Sequence, residues 1–280
     1  MPELIEDLKS IRLAIFDLDG VIYRGNNLIP GVVKIIKLLK ALSIRVVFNS
    51  NNSTLTRQNY VEKLQHFGIN STIDDFFTSA YIAAEEMSKL KKHAKIYVIG
   101  EAGLKEELEA KGHHVYSHVD DFNAIDYIIV GLDRNFTYQK LAIAHSCISQ
   151  GHAQFYATNT DATLPDKDKE LPGAGSMVAA LQTSTSQKPV KVFGKPSPLG
   201  IRMILDKNKM KRDEAVIFGD RLDTDILAGN RAYIKTVLVL TGVTTLEQIS
   251  LLKEKKENAD SNLTPNIVIH SLEEIFTQRS

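Results

Sequence analysis

The sequence predicts an α/β protein built around a parallel β-sheet that helices cover on both faces. Short apolar runs rich in β-branched residues alternate along the chain with longer stretches that are apolar at helical spacing. Such strongly apolar runs are typical of strands buried on both faces of a sheet. The predicted strands lie at 11–16, 44–48, 95–99, 127–130, 154–157, 190–193, 215–218, 236–240 and 267–269.

The division of the chain into domains is predicted from two breaks in this alternation. A polar stretch that ends at Pro189 separates the later strands from the middle of the chain, and a weaker break lies at 78–80. We therefore expect a core domain of residues 1–79 and 189–280 with a doubly wound parallel sheet, and a smaller inserted α/β domain at 80–188.

Composition excludes several classes of function. The 280 residues carry 34 Lys plus Arg and 34 Asp plus Glu, so the basic excess typical of nucleic-acid binders is missing. No stretch approaches the roughly 18 apolar residues that indicate a membrane span. Cys147 is the single cysteine, which excludes an internal disulfide and favours a reducing compartment. We expect a cytoplasmic protein without a nucleic-acid or membrane partner.

Two groups of aspartates follow predicted strands, at the edge where open α/β sheets bind ligands. Asp17 and Asp19 follow the first strand, and Asp220 and Asp225 follow a later one. Carboxylates placed together repel one another unless a cation joins them, and oxygen ligands from two strand ends suit Mg²⁺. Turn formation by the first pair and helix capping within the second group are the alternative interpretations.

Neutral hydrogen-bonding groups and a lysine follow two further predicted strands. Ser50, Asn51 and Asn52 come just after 44–48, and they could donate to an anion or simply form a turn. Lys195 follows 190–193 and offers a point charge suited to phosphate, although a lone lysine is normally a solvated surface residue.

Taken together, these four motifs resemble the haloacid dehalogenase (HAD) superfamily. The turn at 28–31 and the segments 158–161 and 172–176 are similar to signatures of its C2-capped, NagD-type p-nitrophenyl-phosphatase-like branch. Segments 219–226 and 240–245 resemble the eukaryotic-type phosphoglycolate and glycerol-phosphate phosphatases.

The resemblance, which covers about residues 11–245, implies a Rossmann-like HAD core, an inserted α/β cap of the C2 type and a phosphatase activity. It implies that Asp17 attacks phosphorus and that Asp19 acts as general acid and then base. Mg²⁺ would be held by Asp17, the backbone carbonyl of Asp19 and Asp220, with Asp225 in support.

The phosphoryl oxygens would be bound by groups from three of the motifs, namely Gly20, Ser50, Asn51, Asn52 and Lys195. Ser50 departs from the family pattern, in which the second motif usually begins with threonine, but the hydroxyl is kept.

The substrate depends on the cap loop that contains Asp161 and Leu164. Similar pyridoxal-phosphate phosphatases carry a histidine near Leu164, whereas phosphoglycolate and glycerol-phosphate phosphatases have an apolar residue there. The chain is therefore expected to hydrolyse small phosphomonoesters such as phosphoglycolate, glycerol phosphate and p-nitrophenyl phosphate, with pyridoxal phosphate or a nucleotide monophosphate as the alternative.

Related capped phosphatases also suggest a homodimer formed through the cap.

A phosphorylatable receiver module and a dehalogenase are the rival functions. A receiver stores its phosphoryl group, whereas Asp19 supplies an acid two residues from the nucleophile. Dehalogenation needs no metal and would leave the acidic motif around Asp220 without a purpose. Both observations favour the phosphatase.

Overall fold

The computed structural model describes residues 3–166, 169–254 and 261–277. These residues form two compact units. The first unit comprises Met1–Ser50, Val61–Phe77 and Lys195–Ser280, and the second comprises Asn51–Tyr60 and Thr78–Gly194. The predicted domain boundaries at 79/80 and 188/189 stay a prediction.

Strands and helices alternate along both units. The strands are β1 (Leu13–Phe16), β2 (Tyr23–Arg24), β3 (Asn27–Leu28), β4 (Arg45–Ser50), β5 (Phe76–Thr78), β6 (Lys95–Ile99), β7 (His114–Tyr116), β8 (Tyr127–Val130), β9 (Gln154–Ala157), β10 (Thr163–Asp166), β11 (Lys169–Pro172), β12 (Lys191–Val192), β13 (Ala215–Gly219), β14 (Lys235–Val239) and β15 (Ile267–Ile269). The α-helices are α1 (Val32–Ala41), α2 (Arg57–His66), α3 (Ser79–Leu90), α4 (Ala102–Ala110), α5 (Tyr138–Ser149), α6 (Ala174–Thr185), α7 (Leu199–Asn208), α8 (Leu227–Ala232) and α9 (Leu246–Glu254).

The first unit is organised by a six-stranded sheet in the order β15-β14-β13-β1-β4-β5. Strand β1 lies between β13 and β4 and pairs in parallel with both, so that Phe16 is opposite Phe218 on one side and Phe48 on the other. Every residue of β1 is buried, because helices cover both faces of the sheet. The rings of Phe16 and Phe218 stack with their centroids 4.7 Å apart. The carboxyl ends of β1, β4 and β13 therefore meet at one edge.

The second unit has its own five-stranded sheet in the order β12-β9-β8-β6-β7, and its pairs are parallel. Helices α5 and α6 pack against this sheet around a buried apolar cluster that includes Cys147. Strands β10 and β11 form a separate antiparallel pair, which carries Leu164 opposite Leu171.

The predicted α/β class and parallel sheet are confirmed, and the main local difference concerns the strand expected at 190–193. Its hydrogen-bonded part is only β12, which pairs with β9 at the edge of the second sheet. Strand β5 is absent from the predicted strands, because three residues are too few to show periodicity. Within the described residues, no helix is both long enough and apolar enough to cross a membrane.

Candidate active site

The loop after β1 carries the first pair of aspartates. The backbone N–H of Asp17 donates to the carbonyl of Phe218 over 2.9 Å, so the β1–β13 ladder continues to Asp17 itself. The chain then turns back sharply through Gly20, whose φ is +85°. A side chain at Gly20 would collide with the carboxylate of Asp220, so glycine is required both by the turn and by the close approach.

Asp220 follows β13 and is held by a loop from the next strand. Its Oδ2 accepts a 2.7 Å hydrogen bond from the backbone N–H of Val243, and a side chain at Gly242 would clash with the same carboxylate. The hydroxyl of Thr241 donates to the carbonyl of Gly20 over 2.7 Å. The loop after β14 therefore fixes Asp220 and the turn at Gly20 together.

Lys195 lies at the centre of the site, where it is buried. Its Nζ donates to Oδ1 of Asp17 at 2.6 Å, to Oδ1 of Asp225 at 2.5 Å and to the carbonyl of Asn49 at 2.9 Å. Burial disfavours the charged form, but the carboxylates of Asp17 and Asp225 raise the pKa of Lys195 above its ordinary value. The raised pKa favours the charged form of the lysine, which contacts two of the aspartates singled out in the sequence, both in the first unit.

The carboxyls around Lys195 are destabilised as anions. Burial raises the pKa of Asp17 well above its ordinary value, an effect that Lys195 opposes. Burial, with the nearby charge of Asp225, raises the pKa of Asp220 to about 7. Burial also raises the pKa of Asp19, although the charges of Lys63 and Lys195 oppose that shift. Clustered carboxyls that resist ionisation are typical of sites that bind a cation or transfer protons.

A divalent cation fits this cluster. Oxygens of Asp17, Asp220 and Asp225 lie within 4.8 Å of one another. Among the described residues, Oδ1 of Asp220 is buried and has no hydrogen-bond partner, so the site contains an oxygen that a cation would satisfy. Oxygen donors of this kind suit Mg²⁺. Both oxygens of Asp225 already accept hydrogen bonds, from Lys195 and from the backbone N–H of Arg221, which agrees with a supporting role.

The polar residues after β4 do not act as one group. Ser50 is buried at the end of the strand in the first unit. The amide of Asn51 belongs to the second unit and donates to both carboxylate oxygens of Asp161, at 3.1 and 3.0 Å. The side-chain oxygen of Asn52 accepts from the backbone N–H and hydroxyl of Thr54, which is the turn chemistry considered as the alternative.

The phosphate-binding roles of Gly20, Asn51 and Asn52 and the specificity role of Leu164 stay predictions. The backbone N–H of Gly20 donates to the carbonyl of Tyr23, and the side chains of Asn51 and Asn52 make the contacts just described. Leu164 is half-buried against the apolar cluster of the second unit.

Sequence reasoning missed Lys63. Its charge opposes the rise that burial causes in the pKa of the Asp19 carboxyl. Lys63 lies 44 positions away on α2, where a lysine is normally part of a solvated helix face. It also missed the contribution of Val243, because a backbone donor leaves no signature in side-chain identity.

Comparisons with known proteins agree with this geometry. A family model described as haloacid dehalogenase-like hydrolase matches residues 14–114, and one described as HAD-hydrolase-like matches residues 192–275. A chloroplastic phosphoglycolate phosphatase of Arabidopsis thaliana is 34% identical over 98% of this chain and 78% of its own length.

Two solved structures are similar over almost the whole chain. A 4-nitrophenylphosphatase from Thermotoga maritima has a TM-score of 0.86 and 36% identity, covering 97% of this chain and 98% of its own. A glycerol phosphate phosphatase from Mycobacterium tuberculosis, solved in complex with magnesium, has a TM-score of 0.85 and 30% identity, covering 98% of this chain and 79% of its own. The chain therefore belongs to the haloacid dehalogenase-like hydrolases and, within that family, to the phosphatases.

Proposed function

We propose that this phosphatase hydrolyses small phosphomonoesters through an aspartyl-phosphate formed on Asp17. The observation that carries the proposal is the buried cluster at the sheet edge, in which Lys195 bonds to Asp17 beside Asp220. A fixed cation next to a carboxylate nucleophile suits a reaction whose rate depends on positioning and on neutralising phosphoryl charge.

The first half of the reaction uses Asp17 and Asp19. A carboxylate oxygen of Asp17 bonds to phosphorus while the bond from phosphorus to the ester oxygen breaks. Asp19 gives its proton to the departing alkoxide, and the raised pKa of the Asp19 carboxyl favours the protonated form that this step needs. In the second half, Asp19 takes a proton from water, and the water oxygen bonds to phosphorus while the bond from phosphorus to the Asp17 oxygen breaks. This step releases phosphate and restores the Asp17 carboxylate.

The transferring phosphoryl group would be held by Lys195 and Ser50. Asp17, Asp220 and the backbone carbonyl of Asp19 would hold Mg²⁺, which neutralises phosphoryl charge when bound. The buried Oδ1 of Asp220, which has no hydrogen-bond partner among the described residues, supports this assignment.

The nucleophile is tested by Asp17→Asn, which keeps the shape of the side chain and removes its charge. We expect p-nitrophenyl phosphate hydrolysis to fall by about 10³-fold or more, and EDTA to abolish the wild-type activity. Normal hydrolysis by the variant, or activity that EDTA leaves unchanged, would refute the mechanism.

The substrate class is proposed from Leu164. An apolar side chain offers no hydrogen bond to a polar ring, which favours phosphoglycolate or glycerol phosphate over pyridoxal phosphate. The names of two similar proteins, a phosphoglycolate phosphatase and a glycerol phosphate phosphatase, agree with this preference. A phosphate-release screen over small phosphomonoesters tests it, and a higher kcat/KM for pyridoxal phosphate or a nucleotide would overturn it. We expect Leu164→His to raise kcat/KM for pyridoxal phosphate relative to phosphoglycolate, and an unchanged ratio would contradict the role of this position.

We also propose that the protein is a cytoplasmic homodimer assembled through residues 80–188. The lone cysteine supports the location, and the resemblance to capped phosphatases supports the assembly. A monomer mass by light scattering would overturn the second proposal.

A further inference from the structure

The hairpin of β2 and β3 is bonded directly to the loop that carries Asp19. Asp19 and Tyr23 form a β-bridge, and the backbone N–H of Gly20 donates to the carbonyl of Tyr23 over 2.8 Å. The N–H of Tyr23 donates in turn to the carbonyl of Leu18. Any displacement of the Tyr23 backbone is therefore transmitted to Asp19.

Lys63 on α2 braces this hairpin in two ways. Its Nζ donates a 2.8 Å hydrogen bond to the carbonyl of Gly25, at the hairpin turn. The same atom lies 3.5 Å from the centroid of the buried Tyr23 ring, within the range of a cation–π contact. Phe67, four residues further along, packs its ring 6.0 Å from that of Tyr23. One side of α2 therefore holds both the backbone and the ring of the hairpin.

The other side of the hairpin is already fixed. Nε of Arg24 donates to the carbonyl of Thr241 over 2.6 Å, in the loop that also holds Gly20 and Asp220. Lys63 supplies the matching restraint from α2. Burial lowers the pKa of Lys63, so the ammonium lies there at a free-energy cost that solvent exposure would avoid.

We propose that Lys63 is a positioning residue for the proposed reaction, which holds Asp19 in place for proton transfer through the Tyr23 hairpin. The proposal rests on the function proposed above. General acid catalysis depends on the distance between the acid and the leaving oxygen, and a displacement of about 1 Å can cost 10²-fold in rate. Asp17, bonded to Lys195, is held independently of the hairpin.

The leaving group separates this role from a structural one. An alkoxide leaves only with a proton from Asp19, whereas p-nitrophenolate is a stable anion and leaves with little help. In Lys63→Met, which keeps the unbranched chain but loses the ammonium, we expect kcat/KM for glycerol phosphate to fall about 10-fold or more. The factor by which kcat/KM for p-nitrophenyl phosphate falls should be no more than about a third of the factor for glycerol phosphate. Lys63→Arg should restore the wild-type ratio of the two substrates.

Lys40→Met is the matched control. Lys40 on α1 also donates from Nζ to a backbone carbonyl, that of Asn70, over 2.6 Å, and it belongs to the same unit. The Lys40→Met variant should keep the wild-type kcat/KM for both substrates.

The outcomes are distinguishable. Equal losses on the two esters, no loss on either, or a Lys63→Arg variant that fails to restore the ratio would overturn the inference while leaving the proposed function intact. A wild-type protein that hydrolyses neither ester would refute the proposed function and this inference with it.

Discussion

The buried carboxyl of Asp220 should make the metal-free protein less stable as pH rises. Its folded-state pKa is about 7, compared with an ordinary value of 3.8. A carboxyl whose pKa is raised by folding contributes stability below its unfolded pKa and loses it as pH rises through the folded pKa. The relevant window therefore runs from about pH 4 to about pH 7.

The magnitude follows from the shift. A rise in the pKa of Asp220 from 3.8 to about 7 corresponds to about 4 kcal/mol of destabilisation at pH 8, where the carboxyl is ionised in both states. At pH 5 the destabilisation is about 2 kcal/mol, because the folded carboxyl is still protonated while the unfolded one is largely ionised. Asp220→Asn removes this ionisation, so its stability relative to wild type should rise by about 2 kcal/mol between pH 5 and pH 8.

Denaturant unfolding in EDTA at a series of pH values measures this difference. Asp223→Asn is the control, because it makes the same substitution three residues away on an exposed side chain. Mg²⁺ should stabilise the wild type increasingly as pH rises, since it binds the ionised carboxyls, and should stabilise Asp220→Asn much less. A stability difference that does not change with pH, or a variant that is less stable than wild type at pH 8, would refute the reasoning.

Two further substitutions test charged contacts, one within each unit. Lys195→Met should lose about 3–5 kcal/mol of unfolding free energy at pH 8, because it leaves Asp17 beside other buried carboxylates without their cation. That loss should shrink in acid, and urea unfolding that matches wild type at pH 8 would contradict it. Asn51→Asp should lose about 1–3 kcal/mol because it faces the carboxylate of Asp161. Adding Asp161→Asn to that variant should restore the lost stability, and a double variant no more stable than the single one would show that the pair is not coupled.

The class of fold and the placement of the aspartates at the sheet edge could be predicted from the sequence. The runs before Asp17 and Asp220 are short and apolar over their whole length, which predicts strands buried on both faces. A polar residue that directly follows such a strand lies at the carboxyl edge of the sheet whatever the rest of the chain does. Both inferences depend on neighbours in the chain, and both hold in the structure.

Which side chains become partners depends on the tertiary structure. Lys195 follows a strand of the second sheet, yet its Nζ bonds to Asp17, 178 positions earlier. Asn51, adjacent to Ser50, donates instead to Asp161, 110 positions later. From the sequence, Lys63 is expected to be a solvated helix residue, but in the structure it contacts the ring of Tyr23 in the hairpin. Each pairing depends on elements distant in sequence that packing brings within hydrogen-bond range, and no local pattern encodes that distance.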